Sequence, residues 1–372
     1  MKLIKRIVFF SVLLLLNSCI AQFLPKTADD QEMVVVEGLI TDQPGINIIK
    51  LSKSLALGNK DEEKPLMGCS VSITEDDGIS YSLAETAPGT YITDSTKFRG
   101  KIGSRYILHI NANNNFTTNN TFESIPMEMK PVPPIDSIYY EKKTIRQNET
   151  GPLSEGCQVF LNTHDPTNVC QFYRWDYSET WEFWLPYSVA KRHCWISNNS
   201  VAINIKNASV LAEDRIDGYP INFVSDQTDR LSVKYSMLVN QYSMTEDEYL
   251  YWEKLQNISE EVGSLYDITP APISSNITCL EDPNVPVLGY FSVSAKSSKR
   301  VFIKDNFLSL LDLYSDCPYE TIFNGAEIPG LDVFVWIIDA NPYAVPPYQT
   351  TTKKRGCADC SVRGTPVKPV FW

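Results

Sequence analysis

With 372 residues, the chain is long enough for about two domains and needs no disulfide scaffold merely to fold. Its 43% hydrophobic content, including 11% aromatics, excludes a disordered polymer. The 45 acidic side chains outnumber the 33 basic ones, and a net charge of −12 argues against a general nucleic-acid binder, which presents a basic face to phosphate.

The N-terminus reads as an export address. Lys2, Lys5 and Arg6 precede a largely apolar stretch from Ile7 to Leu16. That stretch is shorter than the roughly 20 residues that span a bilayer. Leu16-Asn17-Ser18-Cys19 resembles a bacterial lipobox: an aliphatic residue three before the cysteine and a small one just before it, with Asn17 departing from the usual small or aliphatic residue between them. Residues 1–18 are therefore expected to be a lipoprotein signal peptide, with Cys19 as the lipidated residue. Several acyl chains of the palmitate kind on Cys19 would give stable anchoring where one chain alone is marginal. Processing would remove three positive charges and no acid, which takes the net charge from −12 to −15. Residues 19–32 read as a flexible tether carrying the acidic cluster Asp29-Asp30-Gln31-Glu32, and no later apolar run approaches membrane-spanning length.

Residues 33–130 read as a first β domain. Met33 to Ile40 is β-branched and compact, a turn follows at Asp42-Gln-Pro-Gly45, and Ile46 to Leu51 returns. Cys69 to Thr74 alternates strictly, with Cys69, Val71 and Ile73 on one face. Asp76-Asp77-Gly78 is a hairpin signal, because Asp-Gly tolerates positive φ. Ile79–Leu83, Pro88–Ile92 and Ser104–Ile110 complete a series of short strands without helical period, as in an antiparallel sandwich. Their order resembles the immunoglobulin-like module of carboxypeptidase regulatory domains, which carries no catalysis. His109 lies opposite in phase to Ile110 and is expected to be half exposed rather than a metal ligand.

Pro131-Val-Pro-Pro134 marks a linker over 131–137, since clustered prolines refuse both helix and ladder. A second β-rich, sandwich-like domain is expected over 138–372. Its most distinctive segment, Cys170 to Tyr187, reads CQFYRWDYSETWEFWLPY. As a strand it places Tyr173, Trp175, Tyr177, Trp181 and Phe183 on one face and Arg174, Asp176, Ser178, Thr180 and Glu182 on the other. Such a stripe is either sandwich core or a stacking platform for a flat ligand. A strand this long would run past its sheet, so Trp181, Trp184 and Tyr187, together with Trp195, are the candidate ligand-facing aromatics. One inserted helix is expected near 245–262. Ser243 and Thr245 are both candidate N-caps, each followed three residues later by an acid, Tyr249, Trp252, Leu255 and Val262 form its apolar stripe, and Gly263 is a C-terminal stop.

Beyond Cys19 there are eight cysteines, an even number that an oxidising compartment could pair in 105 ways. Cys157 and Cys170, at the two ends of a hairpin, are a candidate pair. Cys357-Ala-Asp-Cys360 lacks the second close ligand pair that a zinc site needs, and it sits in a basic, loop-like tail rather than at a helix N-terminus. Disulfide bonding, to each other or elsewhere, is the expectation for Cys357 and Cys360. No metal site or cofactor is indicated. No H-E-x-x-H, phosphate-binding loop, G-x-S-x-G or dinucleotide fingerprint is present, so an enzyme is not expected, and Ser188-Val-Ala-Lys191 is too short a match to count.

Laid end to end, these segments resemble the domain-of-unknown-function 4249 family of Bacteroidota outer-membrane lipoproteins. The resemblance is carried by VVVEGLITDQPG (34–45), KPVPPIDSIYY (130–140), DPTNVCQFYRWDYSETWEF (165–183), YSMLVNQYSM (235–244), YWEKLQNISEEVGSLYD (251–267), the stretch 276–303 and CADCSVRGTPVKPVFW (357–372). It covers nearly all of the mature chain and transfers no catalytic residues. What it implies is a lipid anchor in the outer membrane, on the periplasmic or the cell-surface face, beside a TonB-dependent receptor. The expected role is that of a non-catalytic binding or accessory subunit for nutrient uptake. A purely structural or assembly lipoprotein is the alternative, and a hydrolase with a dispersed site a more distant one.

Overall fold

A computed structural model describes residues 33–54, 64–112, 120–146, 153–211, 213–261, 273–305, 307, 317–323 and 336–372. The expected signal peptide, Cys19 and the tether lie outside these residues, as do Val262 and Gly263 at the expected helix end. The fold is mainly β with a single long helix among the described residues, Glu246–Glu261, and none there is long and apolar enough to cross a membrane.

Alternation builds the first sandwich. Along Val34–Thr41, Val34, Val36 and Ile40 turn inward and Val35, Glu37 and Leu39 turn outward. This strand pairs antiparallel with Ile48–Lys53, which continues to Thr90–Ile92 and Ala84–Ala87. The facing sheet runs Thr121–Ser124, Arg105–Asn111, Ser70–Glu75, Ser80–Ser82. Tyr91, Tyr106, Leu108, Phe122 and Phe291 fill the space between. His109 is half-buried on the outer face, its Nδ1 lying 3.0 Å from a Glu123 carboxylate oxygen.

Both sheets are completed by chain from far downstream. Ile277–Cys279 joins the edge at Thr121–Ser124, and Val287–Ser294 runs parallel to Val34–Thr41 from Val34↔Val287 to Thr41↔Ser294. The first sandwich is thus not the contiguous block 33–130, because residues expected in the second domain return to it. A parallel pair needs a long crossover, and here most of the second body supplies it. The close approach depends on Gly289, which holds φ at +86° and where a Cβ would sit 2.0 Å from the Val36 carbonyl oxygen.

The second body pairs a three-stranded sheet (Ile135–Arg146, Leu153–His164, Arg215–Ser225) with a five-stranded one. In the latter, Phe172–Trp184 is flanked on one side by Lys234–Ser243 and then Lys296–Ile303, and on the other by His193–Asn199 and Asn204–Asn207. Tyr173, Trp175, Trp181 and Phe183 lie in its core with Tyr235, Met237 and Val159. Buried Gln241 ties this core to the proline linker: its amide donates to the Pro133 carbonyl and Thr163 Oγ1, and its oxygen accepts from Trp175 Nε1.

A three-stranded sheet of Tyr319–Phe323, Tyr348–Thr352 and Trp336–Asn341 precedes a tail with two short 3-10 turns. The tail is bonded back by two disulfides, Cys194–Cys360 and Cys317–Cys357. Cys357 and Cys360 are therefore disulfide-bonded, but to distant partners. The candidate pair Cys157 and Cys170 is not formed: both are free, buried thiols, and burial raises each pKa to about 12. Both pack in the same core, Cys157 from the strand Leu153–His164 and Cys170 just after the Asp165–Asn168 turn, where the Asp165 carboxylate holds the Cys170 amide.

Candidate functional site

The four aromatics singled out in the sequence do not form an open platform. Trp181 is buried, donates Nε1 to Asp229 Oδ1 at 3.1 Å and lies under the Arg230 guanidinium. Trp195 is buried as well, and its backbone exchanges two hydrogen bonds with Thr365 of the tail. Trp184 is 39% exposed, yet its ring stacks on His193 with centroids 4.2 Å apart and meets the Arg192 guanidinium at 4.7 Å. Tyr187 is half-buried in the turn after the strand. Glu182 organises this strand end, accepting from Trp184 Nε1, His193 Nε2 and Trp372 Nε1. Burial works against its charge, but those donors together hold its carboxyl below the usual range. The stripe therefore serves as core and as the clasp for the C-terminus, because the same rings that could stack a ligand are used to bury one another.

A different place gathers polar groups on an apolar wall. The outward face of the first sandwich (Val35, Leu39, Ile48) meets the helix (Tyr251, Trp252, Leu255) and the strand carrying Arg174 and Asp176, enclosing a groove of about 750 Å³. The helix is set there by its own cap. Thr245 Oγ1 accepts from the Glu248 amide at 3.3 Å, so Thr245 is the N-cap, while Ser243 ends the preceding strand and donates to the Lys130 carbonyl.

Glu248 stands at the third helical position but does not close a capping box. Its side chain is fully buried, where Oε1 accepts from Ser292 Oγ at 2.6 Å and Trp252 Nε1 at 3.4 Å, and Oε2 has no hydrogen bond. Burial raises its pKa, opposed by the nearby Arg174 charge and by those two donors. Arg174 lies against the rings of Tyr242 and Trp252, at 4.9 and 4.6 Å. Its Nε is buried and makes no hydrogen bond, and its charge acts on the neighbouring Glu248 carboxyl. Tyr290 meets Tyr251 ring to ring at 4.7 Å, and its buried hydroxyl lies beside the Thr245 hydroxyl, which favours the ionised phenol slightly. Burial, and then the Glu248 and Asp247 charges, push that phenol well above its ordinary pKa.

The groove draws on residues near positions 35, 48, 174, 201, 252 and 290, six segments that no sequence spacing connects. Trp252 was visible only as part of an apolar stripe, Glu248 only as a capping acid and Arg174 only as one residue of a polar face. No group of three or more metal-ligating side chains is assembled among the described residues.

A family model described as a domain of unknown function, DUF4249, matches residues 20–300, and the chain belongs to that family. The match takes in every segment that builds the groove and ends before the three-stranded C-terminal sheet and the tail. No curated protein matches the chain.

Proposed function

We propose that the chain is an outer-membrane lipoprotein, anchored through Cys19, that works without catalysis as a binding or accessory subunit of a TonB-dependent nutrient-uptake receptor. The observation that carries this reading is the groove, a concave, largely apolar surface with a few convergent polar groups, the usual character of a ligand site. It presents ring faces together with charges of both signs, from Arg174, Lys50, Glu37 and Asp176, which hold a ligand in place. Membership of the DUF4249 family and the lipobox-like N-terminus support the address. The test is recovery of the Cys19-anchored protein from solubilised envelopes. Co-purification with an outer-membrane barrel is expected, and loss of the membrane fraction in Cys19→Ser. Recovery of the anchored protein without any barrel would count against the accessory role.

A further inference from the structure

We propose that the outer face of the five-stranded sheet binds an acidic polysaccharide, one with a carboxylate on its sugar rings, along a cationic strip that follows Lys296–Ile303. This site is apart from the groove and does not depend on it.

Strand pairing lays the strip out. Tyr235, Met237 and Val239 point into the core, so Lys234, Ser236 and Leu238 point away from it, and so do Phe302 and Arg300, which pair with Ser236 and Leu238. Lys296, four residues before Arg300, lies on the same face about 13 Å away at the rise of a strand. Exposed Lys304 follows the last residue of the strand. Residues 296–304 hold four cations and no acid, in a chain whose net charge is −12. Among the described residues, none of Lys234, Lys296, Arg300 and Lys304 is in an ion pair. What Lys234 and Arg300 meet instead are rings. Lys234 Nζ lies 4.3 Å from the Phe302 centroid and 4.6 Å from that of Trp372, and the Arg300 guanidinium lies 3.6 Å from that of Phe371. Stacking spends the face of a guanidinium and leaves its in-plane donors for an acceptor. One of them goes to Ser236 Oγ at 2.8 Å. No nitrogen of Arg300 is both buried and unbonded, so the remaining donors reach the surface. Phe302 and Phe371 are 39% and 43% exposed, so ring surface opens beside them.

The acids on this face set its width. Glu182, opposite Lys234, accepts from Trp184, His193 and Trp372, and Asp176 accepts from Asn240. Asp42 accepts from the Lys296 amide and from Gln43. Glu182 and Asp176 lie two strands from Lys296–Ile303, so the positive ground is a narrow band. A band suits one extended chain and not the plane of an anionic membrane. A nucleic-acid duplex carries a charge about every 1.7 Å, far denser than cations about 13 Å apart, and the acidic remainder of the molecule repels it. A polyuronate carries one acid per sugar. It also sets that acid on a ring whose C–H face can lie on Phe371 or Phe302 while the carboxylate takes the Arg300 fork.

The full mature chain is titrated calorimetrically with hexagalacturonate and with its methyl ester. The acid is expected to bind about tenfold or more tightly than the ester, the range of a charge-assisted hydrogen bond. Arg300→Gln should weaken binding of the acid about tenfold. Phe371→Ala, which removes a ring and no charge, should weaken it severalfold. Should Arg300→Gln melt differently from the parent, Lys296→Gln combined with Lys304→Gln carries the charge test with an expected severalfold loss. Absence of binding overturns the proposal, as does equal affinity for acid and ester, or unchanged affinity in these variants. Equally tight binding of single-stranded DNA or of phosphatidylglycerol vesicles overturns it too, because any polyanion would then suffice. The receptor reading is judged separately. A chain that binds hexagalacturonate and brings down no barrel removes the receptor role and leaves this inference intact, whereas a chain that brings down the barrel and ignores hexagalacturonate does the reverse.

Discussion

The Ser292 hydroxyl donates to Glu248 Oε1 at 2.6 Å, joining the first turn of the helix to the downstream strand that completes the first sandwich. Both residues are buried, and the bond fixes how the helix lies over that strand and so how wide the groove opens beside it.

Glu248 should make stability depend on pH. Its folded pKa is raised above the ordinary 4.5, chiefly by burial, so above that pH the folded chain binds more protons than the unfolded one. The contribution is fully present below about pH 4.5 and is lost as pH rises through the folded value. Glu248→Gln keeps the shape and removes the titration. Thermal melts should show the variant gaining stability relative to the parent at pH 8, with the gain shrinking towards pH 4.

Gln241 should be among the most costly single polar residues to lose. Gln241→Leu leaves Trp175 Nε1 and the Pro133 carbonyl without their partner in a buried site, while Thr163 Oγ1 keeps only its bond to the Pro134 carbonyl. At roughly 1–3 kcal/mol for each buried orphan, partly offset by the apolar replacement, a loss of about 3 kcal/mol is expected in urea denaturation.

The turn signals, the alternating strands and the proline break were legible because each is local: Asp77-Gly78 turns, Val34 and Val36 point inward, and Pro133 leaves the ladder. Thr245 as cap was legible for the same reason, although Ser243 matched the pattern equally well until strand pairing claimed it. The return of Val287–Ser294 to Val34–Thr41 was not legible. The segment reads as a strand, but the choice of a partner some 250 residues away is made by the parallel register and by Gly289. The aromatic stripe was ambiguous in principle, since burial and ligand stacking select the same side chains. Arg174 gave no sign, because a cation on the polar face of a strand is ordinary until its partners are counted.

The disulfides should map as Cys194–Cys360 and Cys317–Cys357 in non-reducing peptide mass analysis. Cys157, Cys170 and Cys279, all buried free thiols, should react with an alkylating agent only on unfolding. Replacing Cys194 and Cys360 together by serine should cost about 2–4 kcal/mol and loosen the tail, so that trypsin cleaves faster at the already exposed Lys353, Lys354 and Arg355.

The C-terminal Trp372 should contribute through Glu182. Trp372→Phe keeps most of the ring contact with Phe302 but removes the donor at 3.1 Å, so a loss of about 1 kcal/mol is expected. Because donors hold the Glu182 carboxyl low, its contribution is present above its unfolded pKa and fades as pH falls through the folded value. The difference between parent and variant should therefore narrow in acid.

The central claim, that binding occurs at the groove and not at the aromatic strand end, is tested most directly by hydrogen exchange on the mature chain alone and in the complex recovered from solubilised envelopes. Protection is expected in Val34–Thr41 and in the helix around Trp252, with the stretch from Trp184 to Trp195 unchanged. Protection confined to Trp184–Trp195, with the groove strands and helix unaffected, would contradict the account.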